Sequence, residues 1–279
     1  MRLVAALSTL LVAASSMAAA QEAQLDASLL NGEKGGVLEL KGTTEGLPDG
    51  TKIHVTLNVK DLAVNASYFM TIIKENRFAA RKGFRGKPFA PLAYELKVEL
   101  DLKAQRKAVR DLIRRSWGLP SGAKVLLASK VLECGTLEEQ TRFREQTIKD
   151  LLEFVLKSQG KITAVRQKFN APPPEDKKAH TKELIDFSRE LKADLAQPWN
   201  TYKNKFVVLP EIAAVRVLNE TMRSLGRSIQ DLARDKREEG VNRLKQAADD
   251  LNRTYDELES RLPKKRPQRP KRPSPDNSK

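Results

Sequence analysis

Cysteine, histidine and aromatic residues are scarce in this chain, and each scarcity closes off a class of function. Cys134 is the only cysteine, so no internal disulfide can form and the fold must rest on packing. It reads either as a small buried apolar side chain or as a bridge to a second chain. His54 and His180 are the only histidines. The first falls on the polar face of a predicted strand and the second at a predicted helix start, so nothing places either beside Cys134 or a serine for nucleophilic catalysis. Zinc needs three or four Cys, His or carboxylate ligands clustered together, and that spacing is missing; no metal or other cofactor is expected. Pro120-Ser121-Gly122-Ala123-Lys124 lacks the glycine spacing and the Lys-Ser/Thr ending of a phosphate loop. Aromatic content of 5% against 31% charged residues suits solvated helices better than one large core.

Long apolar runs are also missing. The one apolar stretch, Leu3 to Val12, is short. It follows Arg2 and leads through Ser15, Ser16, Met17 and Ala18-Ala19-Ala20 to Gln21-Glu22. This order describes a secretory signal peptide over residues 1–20, cleaved after Ala20. With several Ser/Thr residues and much alanine it is a poor membrane span, which needs ~20 strongly apolar residues. The expected location is periplasmic or extracellular, and no intracellular nucleic-acid partner is expected.

What the chain does have is positive charge, +15 in total and unevenly placed. Residues 43–135 carry 17 Lys/Arg against 9 Asp/Glu, and residues 263–279 carry 7 against 1. Residues 136–262 are nearly balanced, 24 against 22. The basic excess therefore sits in the front of the chain and in its tail, which fits either an anionic envelope polymer or surface as partner or exposed charge that serves solubility alone.

Residues 21–35 show no clear period and read as a flexible leader. From Gly36 the pattern turns to period two, with Leu38 and Leu40 opposite Glu39 and Lys41. After the turn signal Leu47-Pro48-Asp49-Gly50, the residues Ile53, Val55, Leu57 and Val59 alternate with Lys52, His54, Thr56 and Asn58. Ser67 to Lys74 and Arg77 to Arg81 are further strand candidates, and Tyr94, Leu96, Val98 and Leu100 mark another. Strands at this spacing suggest an antiparallel sandwich over residues 36–135.

Gly42-Thr43-Thr44-Glu45-Gly46-Leu47-Pro48-Asp49-Gly50-Thr51, then Ile53-His54-Val55-Thr56-Leu57, resembles the opening of immunoglobulin-like or prealbumin-like β-sandwich modules of exported bacterial proteins. The Arg77-Phe78 strand and Pro91-Leu92-Ala93-Tyr94-Glu95-Leu96 keep the order of a strand, a proline-bearing loop and a closing strand, with Ala93 where such modules usually have glycine. The resemblance covers residues 36–101. It implies a spacer or binding platform and specifies no activity.

A basic helix is predicted over Leu102 to Ser116, with Ala108, Val109, Leu112 and Ile113 as its apolar face. Residues 124–134 are apolar and ambiguous between strand and helix. Thr136, with Glu139 three residues on, has capping-box spacing and opens a helical half over 136–262. There Ile148, Leu151, Val155, Ile162, Val165 and Phe169 step by three and four, with Ser158 filling a gap. Ala171-Pro172-Pro173-Pro174 must break this helix. A second helix is predicted over Lys177 to Ala196, buried through Leu184, Phe187, Leu191 and Leu195. An irregular stretch between Pro198 and Pro210 follows. Val215, Leu218, Met222, Leu225, Ile229 and Leu232 form a third seam; Val241, Leu244, Ala248, Leu251, Tyr255, Leu258 and Leu262 form a fourth. Gly240, beside Asp235-Lys236-Arg237-Glu238-Glu239, is predicted to mark a hairpin turn between them, with a kink as the alternative. The fold class expected is α+β and multidomain: an antiparallel β-sandwich, then an antiparallel helical bundle or coiled coil through which copies could associate. Pro263 to Lys279, rich in proline and basic residues, is expected to be an extended arm.

Candidate binding residues are the basic ones. Arg77, Arg81, Lys82, Arg85 and Lys87 crowd together with Phe84 and Phe89 among them. Lys103, Lys107, Arg110 and Arg114 fall at helical spacing. Lys264, Lys265, Arg266, Arg269, Lys271 and Arg272 stud the tail. The expectation is an exported, non-enzymatic envelope protein for binding, adhesion or scaffolding. The alternative is an electrostatic binder of an acidic polymer or anionic surface, and the lesser alternative an unrecognised hydrolase.

Overall fold

The computed structural model describes residues 23–62, 64–172 and 175–263. The signal peptide expected over residues 1–20 and the basic tail residues from Lys264 to Arg272 lie outside them. The chain divides between Thr136 and Leu137 into two compact units. The first holds two antiparallel sheets and the second is helical.

The strands of the first unit are β1 (Gln24–Gly32), β2 (Gly35–Thr43), β3 (Lys52–Val59), β4 (Val64–Ile72), β5 (Arg77–Arg85), β6 (Ala93–Asp101) and β7 (Lys124–Glu133). One sheet has the order β1-β2-β5 and the other β4-β3-β6-β7. The period-two pattern works as a sorting rule. Ile53, Val55, Leu57 and Val59 of β3 and Tyr94, Leu96, Val98 and Leu100 of β6 are buried, with their alternating polar partners half-exposed. Leu38, Leu40, Phe78, Leu127 and Leu132 complete the buried set from β2, β5 and β7.

Two expectations for this unit need correction, and one open alternative is resolved. Residues 24–32 are not a flexible leader but β1, paired along its length with β2. Its inward positions are Leu25, Ala27 and Leu29, but the exposed Leu30 on the other face blurs the alternation, and pairing with β2 stabilises the strand. The basic helix does not begin at Leu102. A 3₁₀ turn spans Leu102–Ala104, Asp101 caps it, and helix α1 runs Lys107–Trp117. Only Ile113 of α1 is buried, and Leu112 is 46% exposed. The ambiguous stretch 124–134 is resolved as β7, because β6 offers it an edge to pair with.

In the second unit, α2 (Leu137–Asn170) starts directly after Thr136 and ends before Pro172. Ile148, Leu151, Val155, Ser158, Ile162, Val165 and Phe169 are all buried, as their spacing predicts. Asp176 then caps α3 (Lys177–Leu191) by accepting from the Lys178 and Ala179 N–H groups. The stretch expected to be irregular after Pro198 is instead α4 (Gln197–Lys203). A π turn at Lys192–Ala196 joins α3 to α4, with the Gln197 N–H reaching back to the Lys192 carbonyl. That wider turn accommodates Pro198, which lacks an N–H and would crowd the carbonyl four residues back in a regular helix.

Helices α5 (Ile212–Ala233) and α6 (Arg237–Arg261) follow. Leu218, Leu225, Leu232, Leu244, Leu251 and Leu258 join α2, α3 and α4 in one core. The chain turns rather than kinks, and it does so at Asp235, the first residue of the expected stretch, whose φ is 59°, and not at Gly240 itself. Gly240 lies inside α6, buried, with Phe169 so close that a Cβ there would meet the ring at 2.3 Å. The glycine is a packing residue, and the same displacement of the seam leaves Val241 40% exposed.

Candidate anion-binding face

The register of β5 against β2 decides which basic residues act together. Arg77 lies opposite Thr43, Arg81 opposite Glu39 and Arg85 opposite Gly35. These three arginines share the outward face of the three-stranded sheet, with Ala79 and Gly83 between them. Each stands four positions from the next along the strand, about 13 Å at the usual rise. The row therefore alternates long cations with small side chains that leave the backbone open.

Lys82 does not belong to this row. It pairs with buried Leu38, so it points to the opposite side of β5 and reaches solvent at the sheet edge. An inward-directed lysine on an edge strand guards that edge against pairing. Lys87 lies beyond the strand, half-buried, where its carbonyl accepts from the Gly36 N–H. Lys103 sits in the 3₁₀ turn and not on α1, so the expected four-residue helical stripe shrinks to Lys107, Arg110 and Arg114. That helix belongs to the connection between β6 and β7 of the other sheet. The tail cations lie outside the described residues.

Charge pairing sorts the arginines further. Arg81 Nε lies 3.0 Å from Glu39 Oε1. Arg77, Arg85 and the nearby Lys74 have no ion pair among the described residues. On the β1 side, Asp26 lies 3.3 Å from Lys41 and 3.6 Å from Lys130. The Lys41 ammonium, and then Lys130, hold the Asp26 carboxyl below its ordinary range. Two open grooves mark this face. One of about 660 Å³ lies at the Arg77 end, and one of about 520 Å³ at the Arg81–Glu39 pair. Lys41 and Lys74, which line the larger groove, were not among the residues predicted. Lys41 was legible as an outward β2 position, whereas Lys74 joins only through the turn into β5.

The remaining candidates are dispersed. His54 stands on the outward face of the four-stranded sheet, with Nδ1 bonded to the Tyr68 hydroxyl. His180 belongs to the other unit, 3.8 Å from Glu183. Lys168, and secondarily His180, hold the Glu183 carboxyl below its ordinary range. Cys134 is half-buried and accepts a 3.6 Å contact from the Asn31 amide. Among the described residues no group of three His, Cys, Asp or Glu side chains is placed to hold a metal ion. No described helix is long and apolar enough to cross a membrane.

The chain matches no protein family, no curated protein and no solved structure.

Proposed function

We propose that this is an exported, non-enzymatic envelope protein for binding, adhesion or scaffolding, and that its front unit binds an acidic polymer on the outward face of the three-stranded sheet. The observation that carries this is the β2–β5 register, which aligns Arg77, Arg81 and Arg85, the outer two without ion pairs among the described residues. Regularly spaced cations separated by small residues suit a repeating anion better than a single one.

The fold reading behind it is an immunoglobulin-like sandwich, its two sheets packed through their apolar faces, followed by an antiparallel bundle or coiled coil. Two features favour the sandwich. The orders β1-β2-β5 and β4-β3-β6-β7 split the strands as two-sheet Greek-key modules do. The buried Tyr94 hydroxyl, at the start of the sixth strand, donates to the Ala90 carbonyl at 3.1 Å, the arrangement of a tyrosine corner. Export rests on the sequence of residues 1–20.

The test is polyphosphate binding measured over a salt series with the full chain. Affinity should fall steeply as salt rises, because exposed charges are screened beyond ~10 Å at 0.1 M. Arg77→Glu with Arg85→Glu should abolish binding and flatten the salt dependence. Arg110→Glu with Arg114→Glu on α1 should change it little. Full binding by the first variant would overturn the proposal.

A further inference from the structure

The groove at the Arg77 end combines two chemistries that a purely hydrophilic ligand would not use together. Its volume of about 660 Å³ falls within the range of small-molecule sites. Its rim carries Lys74 and Arg77, neither ion-paired among the described residues. Asp26, its one carboxylate, is shared by Lys41 and Lys130 and so presents little unopposed negative charge to an incoming anion. Its floor is apolar. Ile72, at the end of β4, is 56% exposed, beside Leu25, Phe78 and Ala79. Gly42 keeps that floor closed from within, since a Cβ there would meet the Phe78 ring at 2.4 Å.

We infer that this groove binds a single-chain amphiphile with an acidic headgroup. Lys74 and Arg77 take the headgroup through charge-assisted hydrogen bonds, and Ile72, Ala79 and half-buried Leu25 cover the apolar chain. The inference rests on the anion-binding reading of this sheet face and narrows it at one end. A polymer uses the whole row, including Arg85 at the far end; the amphiphile uses only the end where cations and exposed apolar surface meet.

Calorimetric titration of the full chain separates the two, using dodecyl phosphate below its micelle concentration, inorganic phosphate, dodecyl maltoside and polyphosphate. Dodecyl phosphate should bind at least about tenfold more tightly than inorganic phosphate, because the chain adds buried apolar area. Dodecyl maltoside, with no charge for Lys74 and Arg77, should not bind detectably. Ile72→Asn should weaken dodecyl phosphate about tenfold and leave polyphosphate unchanged. Arg85→Ala should do the reverse, and Lys74→Ala with Arg77→Ala should weaken both. Ala79→Trp, at an exposed strand position, fills the groove and should block dodecyl phosphate, so the test does not depend on one variant folding. Polyphosphate binding without dodecyl phosphate binding would overturn this inference and leave the polymer reading standing. Dodecyl phosphate binding that survives both Ile72→Asn and Ala79→Trp would also overturn it. Binding of neither ligand would overturn both.

Discussion

The two units handle charge in opposite ways. In the helical unit nearly equal numbers of cations and anions meet as neighbours one turn apart, such as Arg142–Glu138, Lys157–Glu153 and Arg223–Glu220. Others link separate helices, such as Arg243–Asp231 at 3.1 Å between α6 and α5. Such pairs add little stability when exposed and leave little field outside. In the front unit the cations of β5 outnumber their partners. Only Arg81 has a carboxylate opposite, and the flanking arginines keep their charge available. The helical surface is close to charge balance, whereas β5 presents an unbalanced row, the feature on which the proposed recognition rests.

That contrast can be broken most forcefully through the cores. Leu225 and Leu251 are fully buried in α5 and α6, so Leu225→Ala and Leu251→Ala should each cost about 2–5 kcal/mol by chemical denaturation. Neither should alter anion binding if the front unit carries it; loss of binding at preserved fold would show that the helices contribute to the site. Gly240→Ala should cost about 1–3 kcal/mol despite alanine's better helix propensity, since the new methyl meets the Phe169 ring. Phe169→Leu in the same chain should recover part of that loss, and a stabilised Gly240→Ala would place the ring elsewhere.

A smaller effect sharpens the β side. Burial pushes the Tyr94 hydroxyl above its ordinary range, with the Cys134 side chain adding to the shift. The unfolded chain therefore ionises first, and stability should decline as pH rises above about 10. Tyr94→Phe should flatten that decline and cost about 1 kcal/mol at neutral pH through the lost bond to Ala90. Smallest of all is Asp26. Its carboxyl is held low by Lys41 and Lys130, so its contribution is present above about pH 4 and fades as pH falls through its lowered value. Asp26→Asn should remove this faint acid dependence and leave the midpoint at pH 7 almost unmoved. A large change there would mean that the exposed pair matters more than its solvation allows.

Much of the helical unit was legible because a heptad is a local signal that survives packing. The seams of α2 and α5 were read almost residue for residue. Gly240 was misread because it carries no local sign of the Phe169 ring that packs against it. Pro198 was read as a breaker, which it is for a regular α-turn, and the π turn before it removes the conflict. In the front unit, alternation exposed β3 and β6, whose faces differ strongly, and missed β1, where the outward Leu30 blurs the alternation of Leu25, Ala27 and Leu29. Ending the fifth strand at Arg81 concealed that Arg85 shares a face with Arg77 while Lys82 points away.

The amino-acid sequence by itself determined the periodicities: which stretches alternate, which step by three and four, and where the basic excess lies. These depend on neighbours along the chain, and composition alone expresses them. Tertiary structure decided which of the cations stand together. A single residue of register moves a side chain to the opposite face of a sheet, and only pairing with β2 sets that register. The same pairing brings Lys41, from a different strand, beside Arg77 across the sheet. No pattern along the chain encodes that juxtaposition, because it exists only once β1, β2 and β5 have bonded to one another.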